Sequence, residues 1–116
     1  MREQIKDVNR LRHMLEAIDN VSEFTKGITF DNLVGDKILC HAIIHNIQVV
    51  GEAAYKLTKE FCLSHPEVEW RDIIALRHVL VHDYFRIDME ELWHISKEEL
   101  LPLREQIDLY LKTMPE

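Results

Sequence analysis

The sequence predicts an all-α protein, an antiparallel up-and-down bundle of four to five helices built from one domain over residues 1–116. Apolar residues recur at intervals of three and four over long stretches, which is the period of an amphipathic helix. Strand-like runs between turn signals are scarce, and only three Gly and three Pro are available for turns. An apolar content of 47% and a charged content of 30% are typical of a soluble globular chain.

The first helix is predicted from Met1 to Phe24. Charged residues separate its apolar positions, so we expect one buried stripe and one solvated face. Arg2, Lys6, Arg10 and Arg12 give this helix a weakly basic side, which we interpret as a solvated face in preference to an RNA contact. The pattern breaks at Gly27, and either Thr29 or Asp31 can cap the next helix. The buried stripe is expected to contain Ile5, Val8, Leu11, Leu15, Ile18 and Val21.

A second helix is predicted from about Asn32 to about Phe61, and its middle is apolar nearly all round. A surface helix needs only one apolar stripe, so burying the excess calls for a second surface and indicates a homodimer with this helix at or near the interface. Gly51 would cost this helix about 1 kcal/mol relative to Ala, which a closely packed neighbour would explain. The apolar positions are Ile38, Leu39, Ala42, Ile43, Ile44, Ile47, Val49 and Val50.

The segment from Ser64 to Glu69 is predicted to be an acidic loop, because Pro66 stops helical continuation. A third helix follows, with Trp70 as an anchor at its start. We expect it to end around Asp83 to Phe85.

The last helical region is predicted to begin with Asp88 as its cap. Two signals within it conflict. Ser96 and Glu99 have the spacing of a capping box for a new helix, whereas Pro102 would lie well inside that helix and remove a hydrogen bond. We therefore expect a kink or a break between Ile95 and Pro102.

The residues suited to chemistry are concentrated in one stretch, RHVLVHDY, at positions 77–84. Arginine is a permanent planar cation that matches phosphate, and histidine can transfer protons near neutral pH, so the stretch indicates phosphodiester chemistry. On one straight helix Arg77 and His82 would point roughly 140° apart, whereas Arg77 and Tyr84 would lie within roughly 20° of each other. Either the helix ends near His82, or a second protomer supplies the complementary half.

This stretch resembles the HEPN superfamily, and within it the HepT-like toxins, whose signature is R-x4-H-x-Y. Arg77, His82 and Tyr84 fit that signature, while His78 stands where the family commonly has Asn. Further matches occur in the expected order and extend the resemblance over nearly the whole chain. They are the apolar-GEA segment at 49–53, Trp70, Ile87-Asp88, Leu92-Trp93 and Leu101-Pro102-Leu103.

The resemblance implies a metal-independent endoribonuclease toxin of a type VII-like toxin–antitoxin pair that cleaves tRNA or mRNA. It implies a symmetric homodimer whose composite cleft contains Arg77 and His82 from both protomers. It also implies a minimal nucleotidyltransferase antitoxin that silences the toxin by adding AMP to Tyr84. From the residues themselves, His78 of the same chain could instead provide the second proton-transfer group.

Three further residues are candidates for supporting roles at this site, namely His78, Glu52 and Asp83. Glu52 follows Gly51 directly and could hydrogen-bond into the motif region, although a plain surface position is an equal alternative. No metal and no cofactor are expected.

Two other functions are compatible with the sequence. A formal charge of −7 counts against non-specific RNA binding, because phosphate contacts need clustered cations, and it favours a catalytically silent module that binds a nucleotide or a protein partner. The histidine pairs His41 with His45 and His78 with His82 have the spacing of metal ligands on one helix face, which would suit a metal-binding bundle.

Cysteine usage and hydropathy bear on location. Cys40 and Cys62 lack a framework spacing and no secretory leader precedes them, so reduced thiols in a cytoplasmic protein are expected. Cys40 is expected to be a small core residue. No apolar run approaches the roughly 18 residues that a membrane span needs, so no membrane association is expected.

Overall fold

The computed structural model of the protein describes residues 2–78 and 88–114, and all regular structure in these two ranges is helical. The predicted all-α class is therefore confirmed. The elements in chain order are α1 (Arg2–Thr25), α2 (Phe30–Val34), α3 (Lys37–Tyr55), α4 (Lys59–Ser64), α5 (Trp70–Ala75), a 3₁₀ turn (Leu76–His78), α6 (Met89–His94), a π-helical segment (Ile95–Glu99) and α7 (Leu100–Thr113).

The first helix has the predicted extent, but the prediction of one long second helix is wrong. Residues 30–64 form three helices, because side chains interrupt the backbone hydrogen bonding twice. Asp36 accepts a hydrogen bond from the backbone N–H of Leu39 at 3.0 Å and starts α3. Thr58 accepts one from the N–H of Phe61 at 3.1 Å and starts α4. Each side chain replaces a partner that the first turn of a helix lacks, so each fixes a helix start.

Helices α1 and α3 run antiparallel and form the centre of the bundle. Near the start of α1, the buried Asp7 carboxylate accepts hydrogen bonds from the Thr58 N–H at 2.8 Å and the Thr58 hydroxyl at 2.7 Å. Near its end, the Asn20 amide donates to Asn46 of α3 at 3.0 Å. The apolar core between the helices includes Leu11, Met14, Ile18, Ile43, Ile47 and Val50.

The C-terminal region is helical from Met89 to Thr113, and it contains the expected irregularity. Ile95–Glu99 form a π-helical segment, so the N–H of Leu100 bonds to the carbonyl of Ile95, five residues earlier. This wide turn precedes Pro102, whose ring would clash with the carbonyl four residues earlier in a regular α-helix. The predicted capping box is wrong, because the Ser96 hydroxyl donates to the Leu92 carbonyl at 2.7 Å and lies inside the helix.

The loop between α4 and α5 lies where Pro66 predicts it, and Trp70 begins α5 as expected. Trp70 is buried, and its indole N–H donates to the carbonyl of His65 at 2.8 Å. Phe61 packs edge-to-face against both Trp70 and Tyr110, which joins α4, α5 and α7. This aromatic cluster fixes the start of the segment that carries Arg77.

The α-helical part of the third predicted helix is short. It ends at Ala75 and tightens into a 3₁₀ turn through His78, so Arg77 does not lie on an α-helix. The predicted end of this helix, around Asp83 to Phe85, lies outside the described residues. Among the helices that the structure describes, none is long and apolar enough to span a membrane.

A hydrogen bond from the Tyr110 hydroxyl to the Glu67 carboxylate connects the C-terminal helix to the loop before α5. This bond lowers the pKa of the Glu67 carboxyl. Burial raises the pKa of Tyr110, and the adjacent Glu67 adds to that increase. The neutral phenol and the ionised carboxylate are thus the forms that the fold favours.

A Tyr110→Phe substitution is expected to lower stability at pH 7 and to lower it less in acid. Because the Glu67 pKa is lower in the folded state, its contribution is present above its unfolded pKa, near 4.5, and is lost as the pH falls through the folded value. Urea unfolding midpoints of both proteins between pH 7 and pH 3 measure this. Tyr55→Phe, which makes the same change at an exposed tyrosine, is the control. A Tyr110→Phe deficit that stays constant with pH would contradict the assignment.

Candidate functional site

The candidate site is built where the 3₁₀ turn crosses α3 at Gly51. A Cβ on Gly51 would overlap the backbone nitrogen of Arg77 and would lie 2.9 Å from the carbonyl carbon of Leu76 and 3.0 Å from the Cα of Arg77. Real Cβ atoms do not approach backbone this closely. Gly51 therefore permits a backbone-to-backbone contact, which is the close packing that its position in an apolar helix predicted.

Two side chains of α3 flank the Arg77 guanidinium. The carboxylate of Glu52 lies 3.8 Å from Arg77 Nη1. The ring of Tyr55 lies beneath the guanidinium, with its centroid 3.6 Å from Cζ, which is a cation–π contact. The Arg77 side chain is 25% exposed, so the cation is held in place and still reaches the surface.

His78 is placed next to Arg77 and contacts it directly. Arg77 Nε donates to Nε2 of His78 at 3.1 Å. His78 thus fills the polar position after the arginine by accepting a hydrogen bond. The hydrogen bond to His78 uses Nε, whereas Glu52 forms a looser ion pair with Nη1.

The structure brings together Arg77, His78 and Glu52 of the residues that the sequence singled out. The other three, His82, Asp83 and Tyr84, lie outside the described residues. Their predicted roles and their distance from Arg77 therefore stay predictions.

Tyr55 is a site residue that the sequence analysis missed. It lies four residues after Gly51 and three after Glu52, and these spacings place all three on one face of α3. The sequence feature that could have identified Tyr55 is its position one helical turn after Gly51. At that position it lies on the helix face where a glycine indicates close packing. Tyr55 is 54% exposed, so one side of its ring contacts the guanidinium while much of the rest is accessible.

Metal ligands are not clustered in the described ranges, where no group of three or more His, Cys, Asp and Glu residues could hold a metal ion. His41 and His45 are both exposed on α3. Cys40 is buried, its thiol donates to the Leu33 carbonyl at 3.2 Å, and burial raises its pKa. Cys40 is therefore a core residue, as the sequence predicted.

Tyr55 and Arg77 are expected to be coupled energetically by about 1 kcal/mol, which is the value of a cation–π pair at a partly exposed site. The measurement is a double-mutant cycle of urea unfolding with Tyr55→Leu and Arg77→Ala. In the matched cycle, Arg71→Ala replaces Arg77→Ala, because Arg71 is an exposed arginine on α5, and additivity within about 0.3 kcal/mol is expected there. Equal additivity in both cycles would contradict the contact.

Comparison with known proteins identifies the family of this chain. Residues 14–109 match the family described as ribonuclease HepT-like. "Putative RNase MJ1380" of Methanocaldococcus jannaschii is 32% identical over 99 residues, which cover 85% of this chain and 91% of that protein. "Probable ribonuclease HepT" of Thermococcus cleftensis is 35% identical over 94 residues, covering 81% and 86%. "Putative RNase TTE0752" of Caldanaerobacter subterraneus subsp. tengcongensis is 33% identical over 97 residues, covering 84% and 87%.

No solved structure matches the chain. The family match spans most of the sequence and includes Gly51, Glu52, Tyr55, Arg77 and His78. The chain belongs to the HepT-like ribonuclease family.

Proposed function

We propose that this protein is a metal-independent endoribonuclease that cleaves tRNA or mRNA, and that Arg77 and His82 are its catalytic residues. The observation that supports it most directly is the placement of the Arg77 guanidinium. The backbone contact at Gly51 positions Arg77, and its guanidinium lies between Glu52 and Tyr55. The chain also belongs to the HepT-like family. A cation held in this way can bind one phosphate without the clustered charge that non-specific RNA binding requires.

The reaction needs a base for the attacking 2′-hydroxyl, an acid for the leaving 5′-oxygen and a cation for the charge that develops on the phosphate. Arg77 stabilises that charge. Among the described residues, its side chain donates one hydrogen bond, from Nε to His78, and the Glu52 carboxylate lies 3.8 Å from Nη1, so the terminal N–H groups can donate to a phosphate oxygen. His82 acts as the base or the acid.

The second proton-transfer group comes from a partner protomer, in a homodimer with a composite cleft. One observation favours this over His78 of the same chain, because Nε2 of His78 is already the acceptor of a hydrogen bond from Arg77. His78 and Glu52 orient the guanidinium, and Asp83 supports His82. The exposed apolar side chains of Val34 and Ile38, the latter 84% exposed, provide surface that a second protomer could bury.

Regulation of this activity follows from the same site. We propose that a minimal nucleotidyltransferase antitoxin adds AMP to Tyr84, seven residues after Arg77, and that the pair forms a type VII-like toxin–antitoxin system in the cytoplasm. An anionic nucleotide near Arg77 would compete for the phosphate-binding cation and so silence the toxin.

A second candidate function is a catalytically silent module that binds a nucleotide or the partner protein. Two observations favour it. The chain has a formal charge of −7, and the Glu52 carboxylate partly compensates the charge of Arg77. Activity on RNA distinguishes the two candidates.

The purified, unmodified protein is expected to cleave total RNA or tRNA in the presence of EDTA. Arg77→Ala is expected to lower the rate by about 10²-fold or more, because it removes the donor that stabilises the developing charge. His82→Ala is expected to lower it by about 10²- to 10⁴-fold, because it removes a proton-transfer group. Gel analysis of end-labelled RNA measures both rates.

Arg71→Ala and His41→Ala are the controls, since they remove an exposed arginine and an exposed histidine elsewhere on the surface. Both are expected to cleave at the wild-type rate. No cleavage by the folded, unmodified wild type would favour the silent module. Cleavage that survives both motif substitutions would place the chemistry elsewhere, and cleavage that EDTA abolishes would contradict metal independence.

A further inference from the structure

A groove between α1 and α3 lies next to the candidate site. Its volume is about 190 Å³. One wall is formed by two residues of α1 that share a helix face because they are three positions apart. The other wall is formed by the last two turns of α3 and the residue that follows α3. The groove is lined by Arg10, His13, Val49, Glu52, Ala53 and Lys56.

The groove is basic in a protein that is acidic as a whole. Arg10, His13 and Lys56 supply two permanent cations and one titratable imidazole, against the single carboxylate of Glu52. The whole chain has a formal charge of −7. Cations from two different helices are thus gathered at one place on a surface that elsewhere carries an excess of acidic residues.

One of the groove cations, Arg10, has a buried donor. Its Nε is buried and has no hydrogen-bond partner among the described residues. The ion pairs that the structure describes involve other side chains. A buried donor without an acceptor costs free energy, and folded proteins rarely keep one unless a ligand or water satisfies it. The interpretation of Arg10 as part of a solvated face does not account for this burial.

Glu52 connects the groove to Arg77. Its side chain lines the groove and also lies 3.8 Å from Arg77 Nη1. A ligand that follows the surface from Arg77 into the groove therefore passes Glu52 and reaches Arg10, His13 and Lys56. The carboxylate would repel a phosphate placed directly on it, which leaves one anion position at Arg77 and a second at the three basic residues.

We infer that the Arg10–Lys56 groove binds a backbone phosphate of the RNA substrate that flanks the phosphate held by Arg77. This inference rests on the proposed ribonuclease function and adds a second contact point for the substrate. The guanidinium of Arg10 and the ammonium of Lys56 bind the phosphate oxygens, and His13 donates a hydrogen bond to them. Their role is to position the strand, and the chemistry stays at Arg77 and His82.

The test is RNA binding by an Arg10→Gln/Lys56→Gln variant. The probe is a fluorescent 12-nucleotide 2′-O-methyl RNA, which lacks the attacking 2′-hydroxyl and so binds without being cleaved. The variant is expected to raise the Kd about 10-fold, measured by fluorescence anisotropy. The slope of log K against log salt should become shallower by about 0.7 for the phosphate contact that is lost.

The matched control is Lys26→Gln/Lys37→Gln, which removes the same charge from two exposed lysines. Lys26 is 16 residues from Arg10 and Lys37 is 19 residues from Lys56, which correspond to roughly 24 and 28 Å along a helix. This control is expected to leave the Kd and the salt slope close to wild type. An equal loss of affinity in both double variants would indicate a general charge effect and would overturn the groove.

Cleavage of unmodified RNA by the same proteins separates the two proposals. The groove predicts a higher KM with kcat within about twofold of wild type. If the wild type cleaves RNA and the Arg10→Gln/Lys56→Gln variant has unchanged Kd and KM, the groove does not bind a phosphate. The ribonuclease proposal would be unaffected by that result. If the wild type does not cleave but the variant still binds more weakly, the ribonuclease proposal fails and the phosphate site stands. Lys56→Gln alone, at an exposed position, repeats the measurement if the double variant does not fold.

Discussion

The backbone contact between Gly51 and the Leu76–Arg77 turn is the constraint on which the candidate site depends. It fixes the depth at which the segment after α5 lies against α3, and so determines which side chains of α3 can reach the guanidinium. A larger residue at position 51 would push the turn outward, because the atoms that it meets are backbone and cannot rotate away. A glycine within a helix lowers helix stability, but at position 51 it allows the contact that positions Arg77.

The surroundings of Arg77 are compatible with the proposed phosphate substrate of an acidic protein. Glu52 and Tyr55 orient the guanidinium, so the site depends on one placed cation more than on a broad positive field. The separation of 3.8 Å between Arg77 and Glu52 is longer than a hydrogen bond, and a loose pair of this kind orients the cation without consuming its donors. In the proposed binding mode, the basic groove beyond Glu52 binds a neighbouring phosphate, also through a small number of positioned cations. Specificity would then come from the spacing of two anion positions.

Much of the fold could be predicted from the sequence, because periodicity and breakers act locally. The 3.6-residue period predicted α1, Pro66 predicted the loop, and Trp70 predicted the start of α5. Pro102 predicted an irregularity in the last helical region, which is a π-helical segment in the structure. The errors arose where a short side chain made a hydrogen bond that composition does not reveal. Asp36 and Thr58 divided the expected second helix by capping, while Ser96 bonded backward to Leu92 and did not start a helix.

The candidate site was predictable in its residue types and less so in its geometry. Gly51 signalled a close approach, but only the fold shows that the approaching backbone is that of Arg77. Tyr55 was overlooked because an aromatic residue on an apolar helix is ordinarily part of the core. Arg77 lies on a 3₁₀ turn and not on an α-helix, so the direction of Arg77 relative to His82 does not follow from α-helical spacing.

The most direct test of this account is the single-turnover rate of RNA cleavage by Gly51→Ala, at a temperature where circular dichroism shows it to be folded. Gly35→Ala is the control, because a Cβ there would lie 3.6 Å or more from its neighbours. Gly51→Ala is expected to displace Arg77 and to slow cleavage at least 10-fold, while Gly35→Ala is expected to retain the wild-type rate. A folded Gly51→Ala protein that cleaves RNA as fast as wild type would contradict the proposal that this contact sets the position of Arg77 for catalysis.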